Sequence, residues 1–377
     1  MKKASFDSLG LRSDLLSTVK ELGYTKAYPI QKQAIPAIIE GRDILGVAKT
    51  GSGKTASFVL PILNELVGRL STNNRHINAL VLVPTRELAV QVAEVFESFG
   101  TKMKHPIKTK AVYGGVSINP QIKNLMGVNV LVATPGRLIE IKERKSVHFE
   151  DLDYLVLDEA DKMLSMGFKD EMNTIFDMMP LTKQNLLFSA TLTTDVQAVN
   201  QMILHRPLVI QVDAEETDLT LINQIAYSVD ADRKGPILRK LIQDKEMDQV
   251  LVFCSSKHQA DVVVRKLTKA KINAMAIHGD KSQGARTDAL KQFKNGTVKV
   301  LVATDLIARG IDIEFLPYVI NYELPRSPKD YIHRIGRTGR ADHPGTAISL
   351  ITPEDEHHFK VIQKKMKIVV DRIEGSL

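Results

Sequence analysis

The sequence predicts an α/β protein of two domains, each a mostly parallel sheet flanked by helices. Three observations carry that expectation. Short continuous apolar runs alternate with helical stretches of ten or more residues, the pattern of parallel strands buried on both faces. The runs are too numerous for one open sheet of common size. The chain of 377 residues is also long enough to build two full cores.

Taken in order, the runs of the first half are Ile44–Val47, Ala79–Val83, Val130–Ala133, Tyr154–Leu157, Leu186–Phe188 and Leu208–Val212. Those of the second half are Ile225–Val229, Val250–Phe253, Ala274–Ile277, Val298–Ala303, Tyr318–Asn321 and Ala347–Ile351. The halves echo one another. Val130-Leu131-Val132-Ala133-Thr134 recurs letter for letter as Val300-Leu301-Val302-Ala303-Thr304, and a turn carrying arginine follows each. Between the halves lies the acidic stretch Asp213 to Asp218, so domains are expected at 1–212 and 219–377 with 213–218 as linker. A basic helix-like segment, Phe359 to Val370, comes near the end, and no low-complexity tail is expected.

Hydrophobic content of 44% and charged content of 25% are those of a soluble globular protein. A net charge of +7 favours a polyanionic partner. Tryptophan is absent and aromatics make up 5%, so base-stacking platforms are few. The single cysteine, Cys254, excludes an internal disulfide and a cysteine-cluster metal site, and within its apolar strand it reads as a small buried hydrophobe. The N-terminal MKKASFDSLG has no apolar core of a secretory signal, and no apolar run approaches the roughly 18 residues of a membrane span. A cytoplasmic monomer without a membrane partner is expected.

The strongest local signal is Ala48-Lys49-Thr50-Gly51-Ser52-Gly53-Lys54-Thr55, between the run Ile44–Val47 and a helical stretch, Ala56 to Leu66. A strand turning through glycines into a helix leaves several backbone N–H groups pointing one way, a cradle for phosphate oxygens. Lys54 is placed to reach the β- and γ-phosphates and the Thr55 hydroxyl to ligate Mg²⁺, so the stretch predicts a bound nucleoside triphosphate. Ala48 stands where the strict pattern has glycine. The second signal is Asp158-Glu159-Ala160-Asp161, directly after the run Tyr154–Leu157. Acids at the C-terminal end of a strand sit where open α/β sheets bind ligands. Asp158 is expected to hold Mg²⁺, partly through water, and Glu159 to orient and polarise the attacking water.

The motifs, in order, resemble those of DEAD-box RNA helicases, from Phe6 to about Ala347. The first half carries Gly23-Tyr24 through Pro29-Ile30-Gln31, then AKTGSGKT, Pro84-Thr85-Arg86-Glu87-Leu88-Ala89, Gly114-Gly115, Thr134-Pro135-Gly136-Arg137-Leu138, Asp158–Asp161 and Ser189-Ala190-Thr191. The second half carries Gln283 with Arg286, Ala303-Thr304-Asp305, Ala308-Arg309-Gly310-Ile311-Asp312, and His333 to Arg340 as HRIGRTGR.

The resemblance implies two tandem RecA-like domains and the cofactors ATP and Mg²⁺. Gln31, whose amide offers donors and an acceptor, would read adenine. Phe6 would stack on adenine, or serve instead as a staple for the first helix. Ser189 and Thr191 would couple the ATP site to closure by bonding the DEAD acids, or simply satisfy their own loop. Pro84, Arg86, Gly114, Gly115, Thr134, Pro135, Gly136 and Arg137 would line the RNA, joined by Arg286 and Thr304 of the second half. For Arg86 an ion pair with a carboxylate is the alternative. Arg337 and Arg340 would act as fingers on the γ-phosphate. Three arginines so close, Arg334 included, repel unless an anion or acids lie near. Asp312 would contact the ribose.

Tyr28 stands where the family usually has threonine and Lys49 where glutamine is common; neither removes a catalytic group. The chain most resembles the compact bacterial RhlE-like branch. The implied function is an RNA-stimulated ATPase that closes on single-stranded RNA and locally unwinds or remodels short duplexes, with little base-sequence preference. The alternatives are an ATP-dependent RNA clamp or ribonucleoprotein-remodelling platform with little unwinding, and a phosphate-loop ATPase acting on protein complexes. Ribosomal and RNA-decay complexes are the partners such a protein would serve.

Overall fold

Seven short strands follow one another through the first half: β1 (Ile44–Val47), β2 (Ala79–Leu82), β3 (Thr109–Val112), β4 (Val130–Ala133), β5 (Tyr154–Leu157), β6 (Gln184–Ser189) and β7 (Leu208–Gln211). Seven more follow in the second: β8 (Ile222–Ser228), β9 (Val250–Cys254), β10 (Ala274–Ile277), β11 (Val300–Thr304), β12 (Tyr318–Asn321), β13 (Gly345–Ile351) and β14 (Asp371–Glu374). This computed structural model describes residues 5–48, 51–67, 74–212, 222–305, 316–339 and 345–374. The chain divides into two units, Met1–Ala214 and Glu215–Leu377. The expected linker, 213–218, lies outside the described residues.

All strand pairs in the first sheet are parallel, and their order is β3-β4-β2-β5-β6-β1-β7. The second sheet is also parallel, ordered β10-β11-β9-β12-β13-β8-β14. Adding seven to each strand number of the first order gives the second. The repeated Val-Leu-Val-Ala-Thr thereby falls on β4 and β11, which hold equivalent places in the two sheets. These are tandem RecA-like domains of one topology.

Each sheet is covered on both faces, and alternate residues along a strand enter opposite cores. In the first unit Val130 and Val132 pack with the helices Pro29–Ile39, Lys54–Leu66 and Arg86–Gly100, while Leu131 and Ala133 face the other core with Leu138, Met163 and Met172. In the second, Val300 and Val302 join one core and Leu301 and Ala303 the other. Cys254 is fully buried, as its apolar strand implied, and burial holds its thiol far above the ordinary range.

Two strands were not legible as apolar runs. β3 reads Thr-Lys-Ala-Val and β14 reads Asp-Arg-Ile-Glu, and both lie at sheet edges, where one side is left to solvent. The basic segment near the end also differs from expectation. Its helix runs Glu356–Met366 and stops where Lys367 turns left-handed (φ 56°), so Ile368 to Val370 lead into β14. Among the described residues no helix is long and apolar enough to cross a membrane.

Candidate ATP and RNA sites

In a parallel sheet every strand delivers its C-terminal end to the same edge, and the candidate residues gather there. The phosphate loop follows β1, the Asp158 segment follows β5, and Ser189 ends β6; these strands are neighbours in the order β5-β6-β1. Pro84 and Arg86 follow β2, Gly114 and Gly115 follow β3, and Thr134 to Arg137 follow β4, neighbours in the order β3-β4-β2. One edge is thus divided into a nucleotide-candidate half and an RNA-candidate half.

The phosphate loop leaves β1 with the Ala48 N–H bonded to the Ser189 carbonyl (3.0 Å). Gly51 (φ 82°) and Gly53 (φ 87°) are both left-handed, the region that side chains avoid, and Gly53 caps the helix Lys54–Leu66. That helix starts at Lys54, ahead of the expected Ala56. Lys49 and Thr50 lie outside the described residues. Lys54 is 6% exposed, and its Nζ has no hydrogen-bond partner. The Ser52 hydroxyl is likewise buried and unpaired. Thr55, in the first turn of the helix, is half-buried.

Asp158 is buried after β5. Burial pushes its carboxyl up to about 6, against the opposing pull of Lys54 and with a further push from Glu159. Glu159 is left-handed (φ 54°), a strained conformation for a non-glycine residue; its N–H donates to Asp158 Oδ1 (2.9 Å) and its Oε2 accepts from Lys162 Nζ (3.2 Å). A buried ammonium without an acceptor and a buried carboxylate held back from ionising fit a site built to take an anion and a cation together. The donor set of Lys54, Ser52, Thr55 and Asp158 therefore suits a magnesium triphosphate.

Thr191 and Ser189 divide the two bonding patterns foreseen for them. The Thr191 hydroxyl donates to Asp161 Oδ2 (2.7 Å), tying the turn after β6 to the DEAD acids. The Ser189 hydroxyl donates to the Thr191 carbonyl (2.7 Å), so it satisfies its own turn instead of reaching an acid.

Gln31 is 1% exposed and does more than the sequence indicated. Its Oε1 accepts from the Tyr28 N–H (2.8 Å), and its Nε2 donates to the Gly53 carbonyl (3.1 Å). The amide braces the phosphate loop directly. A β-carbon at Gly53 would stand 2.5 Å from Gln31 Nε2 and 2.9 Å from the Tyr28 ring, so glycine is required there on steric as well as conformational grounds. Phe6 has its ring 2% exposed, part of the core and edge-on to Tyr24 at 6.4 Å, the placement that a staple for the first helix requires.

On the RNA-candidate half the guanidinium of Arg86 lies against Gly115; an added β-carbon there would fall 1.9 Å from Arg86 Nη2. Gly115 is left-handed (φ 77°), and Gln121 pins the strand end before it through the Tyr113 N–H (2.9 Å) and carbonyl (3.2 Å). Arg137 is held from within the fold, with its Nη1 left unpaired. It is 5% exposed and donates to the Val116 carbonyl (2.8 Å) and Glu140 (3.1 Å), so it fixes the glycine loop from beneath. Thr134 caps the helix Pro135–Glu143, and Gly136 is open to an added side chain.

The second unit repeats the division. Gln283 and Arg286 lie on the helix after β10 and Thr304 ends β11, the counterparts of β3 and β4. The arginines of HRIGRTGR follow β12, the counterpart of β5. Arg334 is the buried structural member. It forks onto Asp305 (2.6 and 2.7 Å) and donates to Asn321 Oδ1 (3.1 Å) and the Glu323 carbonyl (2.6 Å). Asp305 supplies the acid that three close arginines demanded. Arg337 is buried on the turn after the helix Pro328–Ile335. Arg340 and Asp312 lie outside the described residues.

Known proteins resemble the chain throughout. Residues 28–199 match the DEAD/DEAH box helicase family and residues 233–342 the helicase conserved C-terminal domain. The ATP-dependent RNA helicase CshA of Limosilactobacillus reuteri is 39% identical over 364 residues, covering 96% of this chain and 72% of that protein. The DEAD-box ATP-dependent RNA helicase CshA of Bacillus cereus is 37% identical over 372 residues, 98% of this chain and 70% of the relative. Both bear the name CshA, not that of the RhlE-like branch. Among solved structures, Saccharomyces cerevisiae Dbp5 bound to RNA and ADP BeF3 aligns with a TM-score of 0.83 at 30% identity, covering 98% of this chain and 95% of that one. A DEAD box protein from Methanococcus jannaschii aligns at 0.56 with 36% identity, covering 98% and 99%. With both halves matched and identity sustained along nearly its whole length, the chain belongs to the DEAD-box ATP-dependent RNA helicases.

Proposed function

We propose that this chain is an RNA-stimulated ATPase that locally unwinds or remodels short RNA duplexes by closing its two domains on single-stranded RNA. The observation that carries the reading is the partnerless, buried Lys54 ammonium held with the buried Asp158 carboxyl at a glycine cradle. The backbone from Ala48 to Thr55, Lys49 and Thr50 included, and the Lys54 ammonium hold the ATP phosphates. Thr55 and Asp158 hold Mg²⁺, partly through water. Bound there, Mg²⁺ neutralises charge on the β- and γ-phosphates. Gln31 keeps a second amide proton and a second oxygen lone pair for adenine.

Glu159 orients the attacking water and accepts its proton, released from Lys162 as the domains close. Arg337 and Arg340 stabilise charge on the γ-phosphate, and Asp312 contacts the ribose. RNA lies along Pro84, Arg86, Gly114, Gly115 and Thr134 to Gly136 in the first domain and Arg286 and Thr304 in the second, with Arg137 shaping the glycine loop. Contacts of this kind read the sugar–phosphate backbone, so binding tolerates any base sequence and weakens with salt. Thr191, through Asp161, carries closure to the ATP site. The domain limits are 1–212 and 219–377. In this reading the protein is a cytoplasmic monomer serving ribosomal or RNA-decay complexes.

The test is ATP turnover with and without single-stranded RNA for wild type, Glu159→Gln and Arg337→Ala. RNA is expected to raise the wild-type rate, and each substitution to lower the stimulated rate by about a hundredfold or more while Glu159→Gln still binds nucleotide. A wild-type rate indifferent to RNA would show the coupling to be wrong.

A further inference from the structure

At the opposite edge of the first sheet, where strands begin, the residues leading into β2 and β5 bring two imidazoles and two carboxylates together. His76 and His148 pair as a parallel bridge, with the Ile77 N–H bonded to the His148 carbonyl (3.2 Å) and the His148 N–H to the Arg75 carbonyl (2.9 Å). Matching register puts both side chains on one side, and their rings stack 4.9 Å apart at 22°. Glu150 Oε2 lies 3.9 Å from His76 Nδ1 and 3.8 Å from His148 Nδ1. Asp151 Oδ2 lies 3.2 Å from His76 Nδ1. One donor atom from each of His76, His148 and Glu150 falls within 4.8 Å of the others.

We propose that His76, His148, Glu150 and Asp151 form a binding site for a divalent transition-metal ion of the zinc class. Two features separate this cluster from ordinary surface ion pairs. His76 Nδ1 is buried with no hydrogen-bond partner, although Asp151 Oδ2 stands 3.2 Å away, so this ring nitrogen is left unsatisfied beside the carboxylates. The spacing also fits. Tetrahedral ligands at zinc's bond length of about 2.1 Å stand about 3.4 Å apart, and the measured separations of 3.2, 3.8 and 3.9 Å close to that by small side-chain rotations.

Imidazole nitrogens with carboxylates select zinc-class ions over Mg²⁺ or Ca²⁺, which take oxygen ligands. The ion of the ATP site therefore does not compete. The backbone beneath is already fixed: Asn78 Nδ2 donates to the Asp151 carbonyl (3.4 Å), and the Asp153 N–H donates to the Asn78 carbonyl (2.8 Å). Lys142, the nearby cation that acts on Glu150, rests its ammonium over the Phe149 ring, 4.7 Å from the centroid. His76, His148 and Glu150 supply three ligands within 4.8 Å of one another, and Asp151, 3.2 Å from His76 Nδ1, is the fourth that would close the shell as in a structural site. The ion would clip the entry to β2 to the entry to β5 and leave catalysis untouched.

The test is calorimetric titration of the chelator-stripped full chain with zinc at about pH 7.5, with Mg²⁺ in excess, for wild type, His148→Asn and Glu150→Gln. Wild type is expected to take one ion, with affinity falling at least about tenfold in each variant. Thermal melts should show zinc raising the wild-type midpoint but not that of the variants, while RNA-stimulated ATP turnover of the variants stays at the wild-type level. Zinc affinity equal in wild type and both variants would place the ion elsewhere and overturn the assignment, as would the absence of a binding isotherm. Should His148→Asn disturb the bridge, Glu150→Gln decides alone, because that carboxylate is exposed and pairs only with the histidines among the described residues.

Discussion

Gln31 and Gly53 show how single residues set the turn that leads into a helix. The Gln31 amide spans from the Tyr28 N–H to the Gly53 carbonyl, and Gly53 supplies the left-handed turn that aims the helix Lys54–Leu66. Gly53→Ala would add backbone strain and push a β-carbon into Gln31. Nucleotide affinity, read by titration with ADP, should fall at least about tenfold, corresponding to about 1.4 kcal/mol, with the fold retained. An unchanged affinity would show that Gln31 does not shape the loop. Arg334 makes the complementary case in the second unit. Lysine at that position keeps the charge but loses the fork onto Asp305 and leaves the Asn321 and Glu323 acceptors short of donors. Arg334→Lys is expected to destabilise the second unit by about 2 to 3 kcal/mol, measured by denaturant unfolding. A loss below about 1 kcal/mol would remove the structural role.

At the scale of elements, legibility followed burial. Strands covered on both faces, such as Val130–Ala133 and residues 300–303 of β11, announce themselves as apolar runs because every side chain must be apolar. The edge strands β3 and β14 carry lysine, aspartate, arginine and glutamate, so periodicity has nothing to register. The site motifs were legible because their residue types are chemically demanding. Their local partners were not, since the Arg334–Asp305 fork and the Gln31–Gly53 bond join segments 29 and 22 residues apart. The burial of Phe6 and Arg137 was hidden for the same reason: an aromatic ring or a guanidinium looks identical in sequence whether it is exposed or buried. The helix Glu356–Met366 was overextended because Lys367, whose φ of 56° ends it, is an ordinary helix former. Glycine suits that conformation better. Lys367→Gly should stabilise the second unit by about 0.5 to 1 kcal/mol and raise its melting midpoint, whereas an unchanged or lowered midpoint would mean that Lys367 is not held left-handed.

For the whole molecule, the identical strand order of the two sheets means that one solution to packing is used twice, with chemistry distributed by strand position. Ends of β5, β6 and β1 carry the Asp158 segment, Ser189 and the glycine loop in the first unit; the end of β12, the β5 counterpart, introduces the arginines in the second. Each unit buries both faces of its own sheet, with separate cores built around Val132 and Leu131 in one and Val302 and Leu301 in the other. Neither sheet borrows a strand from the other unit. Chains ending at Ala214 and beginning at Glu215 should therefore fold separately, each with a cooperative thermal transition. Nucleotide binding should remain with the first chain, which holds Lys54, Asp158 and Gln31. RNA-stimulated turnover should be absent from either chain alone, because Arg337 and Lys54 are then on different molecules. Mixing the two chains should restore little, since the covalent link supplies the effective concentration that brings the halves together. Full turnover by the first chain alone would show that the second unit contributes nothing to the chemistry, and a non-cooperative melt of either chain would show that its sheet is not self-sufficient.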